Sequence, residues 1–202
     1  GLGKSIGQRY VELGANLVIC GRRADVLVQT AQEFQDLFGV RIETHVCDVR
    51  DAQAVHTMME AIWAQGPLDV LLNNAAGNFL ARTDQLSTRA FDAVVDIVLK
   101  GSAYCTMEVG RRWIAAGHKG TVMSILTQSA MTGMPYTVPS AMAKAGADII
   151  ETNTFSATSV GQSEFFVDDP REHGGRKDTA FYQTVIENKY LNDRSEEHTS
   201  EL

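Results

Sequence analysis

A chain of 202 residues, 44% hydrophobic and 21% charged, fits one soluble α/β domain. Its formal net charge of -7 argues against nucleic acid as the main partner. No apolar run approaches the roughly 20 residues that a membrane-spanning helix needs. Cys20, Cys47 and Cys105 are scattered without metal-ligand spacing, and Cys20 and Cys47 fall in predicted strands, where small buried thiols are expected.

In chain order, Gly1-Leu2-Gly3 followed by Lys4-Ser5-Ile6-Gly7 reads as the second half of a phosphate-binding glycine loop entering a helix, Lys4 to Leu13. Such a loop follows a strand, so the chain is expected to be truncated at its N-terminus. Targeting signals are then out of reach, and the default placement is cytoplasmic. A strand at Asn16–Cys20 leads to a helix at Ala24–Phe38, with Gly39 as its C-cap. Strand Arg41–Cys47, helix Asp51–Gln65 and strand Asp69–Leu72 follow. A long helix is predicted from Thr88 to Ala116, broken or bent near Gly101, then strand Thr121–Leu126 and a last helix from about Pro139.

Strands alternating with helices imply right-handed βαβ units and a doubly wound parallel sheet, Rossmann-like, here lacking its first and last strands. Residues 1–150 form a partial NADP-binding domain in this reading. From Glu151 to residue 193 Thr, Ser, Asp and Gly dominate without a convincing buried strand, which fits foreign or frame-shifted sequence. Arg194 to Leu202 reads as translated sequencing adapter and is set aside; an ordinary charged tail is the alternative.

Gly1 and Gly3 let backbone approach a pyrophosphate, and the helix N-terminus beyond them favours its charge. Gly21-Arg22-Arg23 stands where NAD sites usually place an acid, and a guanidinium suits a 2'-phosphate, so NADP(H) is expected. Two solvated arginines opening a helix would look the same. Asp48 stands where an acid could accept from the adenine amino group; it, or Asp51, could equally cap the next helix.

The most informative stretch is Asn73-Asn74-Ala75-Ala76-Gly77-Asn78-Phe79, directly after the apolar Val70-Leu71-Leu72. Small residues and unionised amides at a strand end leave room for a flat cofactor ring. A polar turn capping a buried strand is the plain alternative.

Together these pieces resemble the short-chain dehydrogenase/reductase family over residues 1–150, and within it the 2,4-dienoyl-CoA reductase branch. The shared runs are Cys47-Asp48-Val49-Arg50-Asp51, Asn73 to Phe79, Ile97-Val98-Leu99, and Val138-Pro139-Ser140-Ala141-x-Ala143-Lys144-Ala145-Gly146. Standard family members carry Tyr-x-x-x-Lys, an upstream serine and a helix asparagine. Here Lys144 is kept, while Ser140, Thr127 and Val98 occupy the other three positions. Without the phenol, ordinary ketone chemistry is disfavoured. Dienoyl-CoA reductases also carry that Ser and reduce a conjugated thioester, which needs an oxyanion hole more than a carbonyl acid.

The resemblance implies that Asn78 hydrogen-bonds the thioester oxygen, Phe79 lines the acyl pocket and Arg50 contacts the CoA portion. Thr127, Ser140 and Ser87 border the substrate, Lys144 holds the nicotinamide ribose, and Asp48, Val49, Asn74, Ala75 and Ala76 join Gly1, Leu2, Gly3, Arg22 and Arg23 around NADP(H). Ser129 replaces a catalytic Tyr of the mitochondrial-type enzymes, and loss of such a group costs about 100- to 10,000-fold. Tyr136 lies nearby at a spacing foreign to the family.

Plainer uses stay open: Phe79 as a core aromatic, Ser140 as a helix cap, Lys144 facing solvent. His45, His56 and His118 read as structural or exposed, and Met107, Met123, Met131, Met134 and Met142 as core or acyl-pocket filler. The leading expectation is an NADPH-dependent reductase of an unsaturated fatty acyl-CoA, with no metal. A reductase of another carbonyl or hydroxyacyl substrate and a non-catalytic nucleotide-binding scaffold are the alternatives. The whole protein is expected to be a homo-oligomer built on the long and last helices. The chain as given is expected to be inactive, because the strands flanking a missing central strand would stand about 9.6 Å apart.

Overall fold

The computed structural model describes residues 1–158 of the chain. Its elements run α1 (Leu2–Glu12), β1 (Val18–Gly21), α2 (Ala24–Phe38), β2 (Glu43–Val46), α3 (Ala52–Trp63) and β3 (Val70–Asn73). A short 3-10 turn, Thr83–Gln85, precedes α4 (Thr88–Val95), a π-helical turn (Asp96–Lys100), α5 (Gly101–Ala116), β4 (Thr121–Ser124), α6 (Ser129–Thr132) and α7 (Val138–Thr158). The order is the alternating strand–helix order of an open, doubly wound α/β fold. Residues 159–202, with the proposed adapter tail, lie outside the described residues.

The strands form two separate parallel ladders. β1 pairs with β2, Val18 opposite Glu43 through Gly21 opposite Val46. β3 pairs with β4, Val70 opposite Thr121 through Asn73 opposite Ser124. Among the described residues no strand joins the two pairs. Both pairs rest on one helical layer: Val18 of β1 and Leu71 of β3 pack on a core made by Val55, Met58, Met59 and Ile62 of α3 with Cys105, Val109 and Trp113 of α5. On the other face α1 spans both, its Val11 in a cluster with Phe34 and Ile42 and its Tyr10 hydroxyl donating to Met123 Sδ at 3.3 Å.

Local chemistry explains most boundaries. Gly39 ends α2 in the left-handed region (φ 66), and Asp51 caps α3 by accepting from the backbone N–H groups of Gln53 (2.9 Å) and Ala54 (3.2 Å). Asp51, not Asp48, is therefore the cap. The bend expected near Gly101 is the π turn just before it. A Cβ on Gly101 would stand 2.6 Å from Val49 Cγ2, so the helix can cross the β2–α3 loop only with glycine there. The extra residue of the π turn places Val98 inside, 1% exposed, while Ser102 Oγ donates to its carbonyl at 2.7 Å.

Two expectations about burial are corrected. Cys20 is exposed rather than buried, and its thiol is still desolvated enough to be pushed up. Cys47 and Cys105 are buried, and burial raises them to about 11 and about 12, so they are protonated, poorly nucleophilic thiols at neutral pH. Met123, Met131, Met134 and Met142 are exposed rather than core; the buried methionines are Met58 and Met59, which share the inner face of α3.

Candidate active site

The predicted cofactor residues gather at the start of α1 and the carboxyl ends of the strands, where open α/β sheets bind ligands. α1 begins with Gly1 as its N-cap, with no side chain closing its first N–H groups. Leu2 is exposed beside it. A Cβ on Gly3 would stand 2.5 Å from Asn74 Nδ2, so glycine is what allows the first turn of α1 to lie against the β3 loop. This contact, between residues far apart in sequence, unites the glycine loop and the Asn-Asn stretch.

The two asparagines divide the labour. Asn73, the last residue of β3, is buried and donates to Thr106 Oγ1 (3.0 Å) and Ser124 Oγ (3.4 Å), tying β3 to α5 and β4. Asn74 is half-buried against Gly3, and Ala75 and Ala76 beyond it are exposed. Asn73 was not among the expected site residues; the doubled Asn was its signal, since a strand-end amide pointing into the sheet must find buried partners.

Lys144 is the most constrained charge here. It is 8% exposed, donates from Nζ to the carbonyl of Ile125, and burial pushes its ammonium pKa down. It does not face solvent. The N–H of Ile125 donates in turn to the carbonyl of Asn73 at 3.0 Å, which carries the Lys144 contact to the end of β3. Ser140 lies one helical turn before Lys144 on α7, half-buried. Thr127 Oγ1 and Ser129 Oγ are 3.2 Å apart, a hydroxyl pair beyond β4.

On the loop leaving β3, Asn78 Oδ1 accepts from the N–H of Phe79 at 2.8 Å, which turns the amide so that Nδ2 remains the donor. Phe79 is 48% exposed and is no core aromatic. Ser87 caps α4, its Oγ accepting from the N–H of Ala90 at 3.2 Å. That structural task accounts for its hydroxyl without a ligand.

At the adenine end, Arg22 and Arg23 are exposed after β1, Arg23 as the N-cap of α2. Asp48 and Arg50 form a fork: Arg50 Nε to Oδ1 at 2.9 Å, Nη2 to Oδ2 at 2.5 Å, and the Arg50 N–H to Oδ1 at 3.1 Å. The Arg50 hydrogen bonds, with Arg22 adding its charge, hold Asp48 below the usual carboxylate range. The spacing of two residues gave no hint that the groups expected at the adenine and at CoA would hold each other. Val49 between them is half-buried against Gly101. Among the described residues no group of His, Cys, Asp and Glu is arranged to hold a metal ion; His45 pairs with Glu43, His56 with Glu60 and Glu108, and His118 with Asp69.

The end of β4 carries the buried Lys144 ammonium and the Thr127–Ser129 hydroxyl pair, the end of β3 meets the uncapped start of α1 at Asn74, and the loop leaving β3 carries the Asn78 amide. The arrangement offers hydrogen-bond donors for a polyhydroxylated or phosphorylated ligand and for a developing oxyanion. It holds no tyrosine at position 140.

Comparison with known proteins gives the family and the fold. The family profile described as short chain dehydrogenase matches residues 1–156. An uncharacterized oxidoreductase of Caenorhabditis elegans is 42% identical over 150 residues, covering 73% of this chain and 48% of that protein. The probable 2,4-dienoyl-CoA reductase 3 of the same organism is 39% identical, covering 74% and 49%. A short chain dehydrogenase from Bacillus anthracis superposes with a TM-score of 0.73 at 34% identity, covering 78% of this chain and 63% of that one. The chain thus spans about half the length of these curated relatives. It belongs to the short-chain dehydrogenase/reductase family and carries that family's Rossmann fold.

Proposed function

We propose that the whole protein is an NADPH-dependent oxidoreductase that reduces an unsaturated acyl-CoA thioester, of 2,4-dienoyl-CoA reductase type. The observation that carries this reading is the buried Lys144, anchored to Ile125 at the end of β4, with Ser140 where a catalytic phenol would stand. Similarity to proteins named probable 2,4-dienoyl-CoA reductases in C. elegans and Bacillus subtilis, at 39% and 35% identity, supports it.

The residues present fit a nicotinamide dinucleotide on structural grounds: the bare Gly3 backbone packed on Asn74, the uncapped start of α1, and the exposed Arg22 and Arg23 beside Asp48. The bound cofactor supplies the hydride. Lys144, its ammonium desolvated and directed by Ile125, would hold ribose hydroxyls; Arg22 and Arg23 would meet a 2'-phosphate. Asn78 Nδ2 would donate to the thioester oxygen as it gains charge, with the hydroxyls of Thr127 and Ser140 nearby to orient the acyl group. Arg50 would reach the CoA phosphates from its position beside Asp48. In this reading the enzyme is cytoplasmic and associates with copies of itself through the α4–α5 segment and α7.

The test is NADPH oxidation by the whole protein with a 2,4-dienoyl-CoA, against a simple ketone. Turnover of the dienoyl thioester alone supports the reading. NADPH binding without turnover on any acyl-CoA contradicts it, and turnover of the ketone alone assigns a different carbonyl substrate.

A further inference from the structure

We propose that Tyr136 determines acyl-chain specificity at this site: its backbone staples the two loops of the cleft, and its ring forms the apolar lip on which the chain lies. This inference rests on the acyl-CoA reading above and adds to it a residue that the family's motif does not supply.

Tyr136 is the only non-glycine among the described residues with a positive φ, at 68°. Glycine adopts that left-handed conformation freely, whereas a Cβ there crowds the following carbonyl. A tyrosine held in it must be fixed by its surroundings, and such outliers gather at ligand clamps. The fixing contact is visible: the carbonyl of Tyr136 accepts from the N–H of Ala81 at 3.2 Å. On the C-terminal side, Thr137 turns back on Met134, its Oγ1 donating to the Met134 carbonyl at 2.9 Å.

The Ala81 bond joins two segments that are otherwise separate in sequence. One leaves β3 and carries Asn78 and Phe79. The other runs from Thr127 to Ser140 and leads into the helix that holds Lys144. The backbone hydrogen bond at Tyr136 therefore ties the loop that carries the amide donor to the segment that carries the hydroxyls.

The side chains at the junction have the composition of an apolar lip rather than of a core. Phe79 is 48% exposed, Leu80 69%, Met134 62% and Tyr136 55%. Phe79 and Leu80, beside Ala81, and Met134 and Tyr136 on the turn that Ala81 bonds, are all outside the core. A methylene chain extending outward from a thioester near Asn78 would meet them and withdraw about as much of their surface as its length allows. The phenol offers a large flat apolar face while its hydroxyl can stay in water.

The experiment is calorimetric binding of butyryl-CoA and decanoyl-CoA, which lack the reducible double bonds, to the whole protein and to Tyr136→Gly and Tyr136→Phe. Tyr136→Gly suits the backbone, so the melting temperature should stay level or rise. The preference for decanoyl over butyryl should fall about fivefold or more, and Tyr136→Phe should keep it. If Tyr136→Gly folds poorly, Tyr136→Asn, which also tolerates this conformation, replaces it with the same expected loss. An unchanged preference in the folded variant overturns the proposal while leaving the acyl-CoA reading intact. So does a wild-type protein that binds both ligands without preference. Failure of the wild type to bind either acyl-CoA overturns both.

Discussion

Replacing Lys144 by Met tests the link between burial and cofactor binding at one residue. Met keeps most of the length of the aliphatic stem in a position only 8% exposed, so little packing is lost. Two terms act on stability in opposite directions. The Ile125 carbonyl loses its donor, which costs about 1–3 kcal/mol, while removal of a desolvated ammonium gives back a similar amount. The net change should stay within about 2 kcal/mol, or a melting shift of about 4–8 °C for a chain of this size. Cofactor binding has no such compensation. Loss of charge-assisted bonds worth about 1.5–3 kcal/mol predicts an NADPH affinity lower by about 10- to 100-fold. Titration of NADPH fluorescence, alongside a thermal melt of the same sample, reads both. A variant that binds NADPH within twofold of the parent would refute the role assigned to Lys144.

Other perturbations follow from the same contacts. Gly3→Ala places a methyl against Asn74 Nδ2, the movable end of a side chain, so stability should fall by less than about 1 kcal/mol while NADPH affinity falls measurably by titration. Arg22→Glu should weaken NADPH about 10- to 100-fold and leave NADH equal or better; equal loss for both would remove the 2'-phosphate assignment. Asn73→Ala should cost about 1–3 kcal/mol in denaturant unfolding, because Thr106, 1% exposed, loses its partner. In acid, Asp48 is held low by Arg50, and Glu108 is held low because hydrogen bonds from Arg112 and His56 outweigh a burial that pushes it up. For both, the stabilisation is present above the unfolded pKa and is lost as pH falls through the lower folded value, so melting temperature should drop across the acid range. Lys144 acts in the same direction in a more alkaline window: its folded pKa is also depressed, so the cost of its charge is relieved as pH rises through that folded value. Melts of Lys144→Met should lack this alkaline gain.

How far the sequence carried the account depends on whether a feature is local. The bounds of α2 and its Gly39 cap follow from helical periodicity and a left-handed glycine, and both were legible. Strands Arg41–Cys47 and Thr121–Leu126 were read too long, since apolar residues continue into the flanking loops while the ladder stops at Val46 and Ser124. The burial of Lys144 settles a use that the sequence left open, and the small neighbours Ala143 and Ala147, themselves buried, let α7 pack closely there. Contacts between distant segments were not legible. Gly3 against Asn74 and Ala81 on Tyr136 depend on how loops meet, and no period or spacing encodes that. The exposure of Cys20 and of the methionines near the site likewise reflects which sides of β1 and of the loops are covered.

The most direct measurement of the central idea is a double-mutant cycle on turnover of a 2,4-dienoyl-CoA by the whole protein, with Asn78→Ala, Lys144→Met and the pair. If the amide and the ammonium serve one reacting complex, each single change lowers kcat/KM about 100-fold or more, and the double mutant loses clearly less than the product of the two. Single changes that leave kcat/KM within a few-fold of the parent, or losses that multiply in full in the double mutant, would contradict the account.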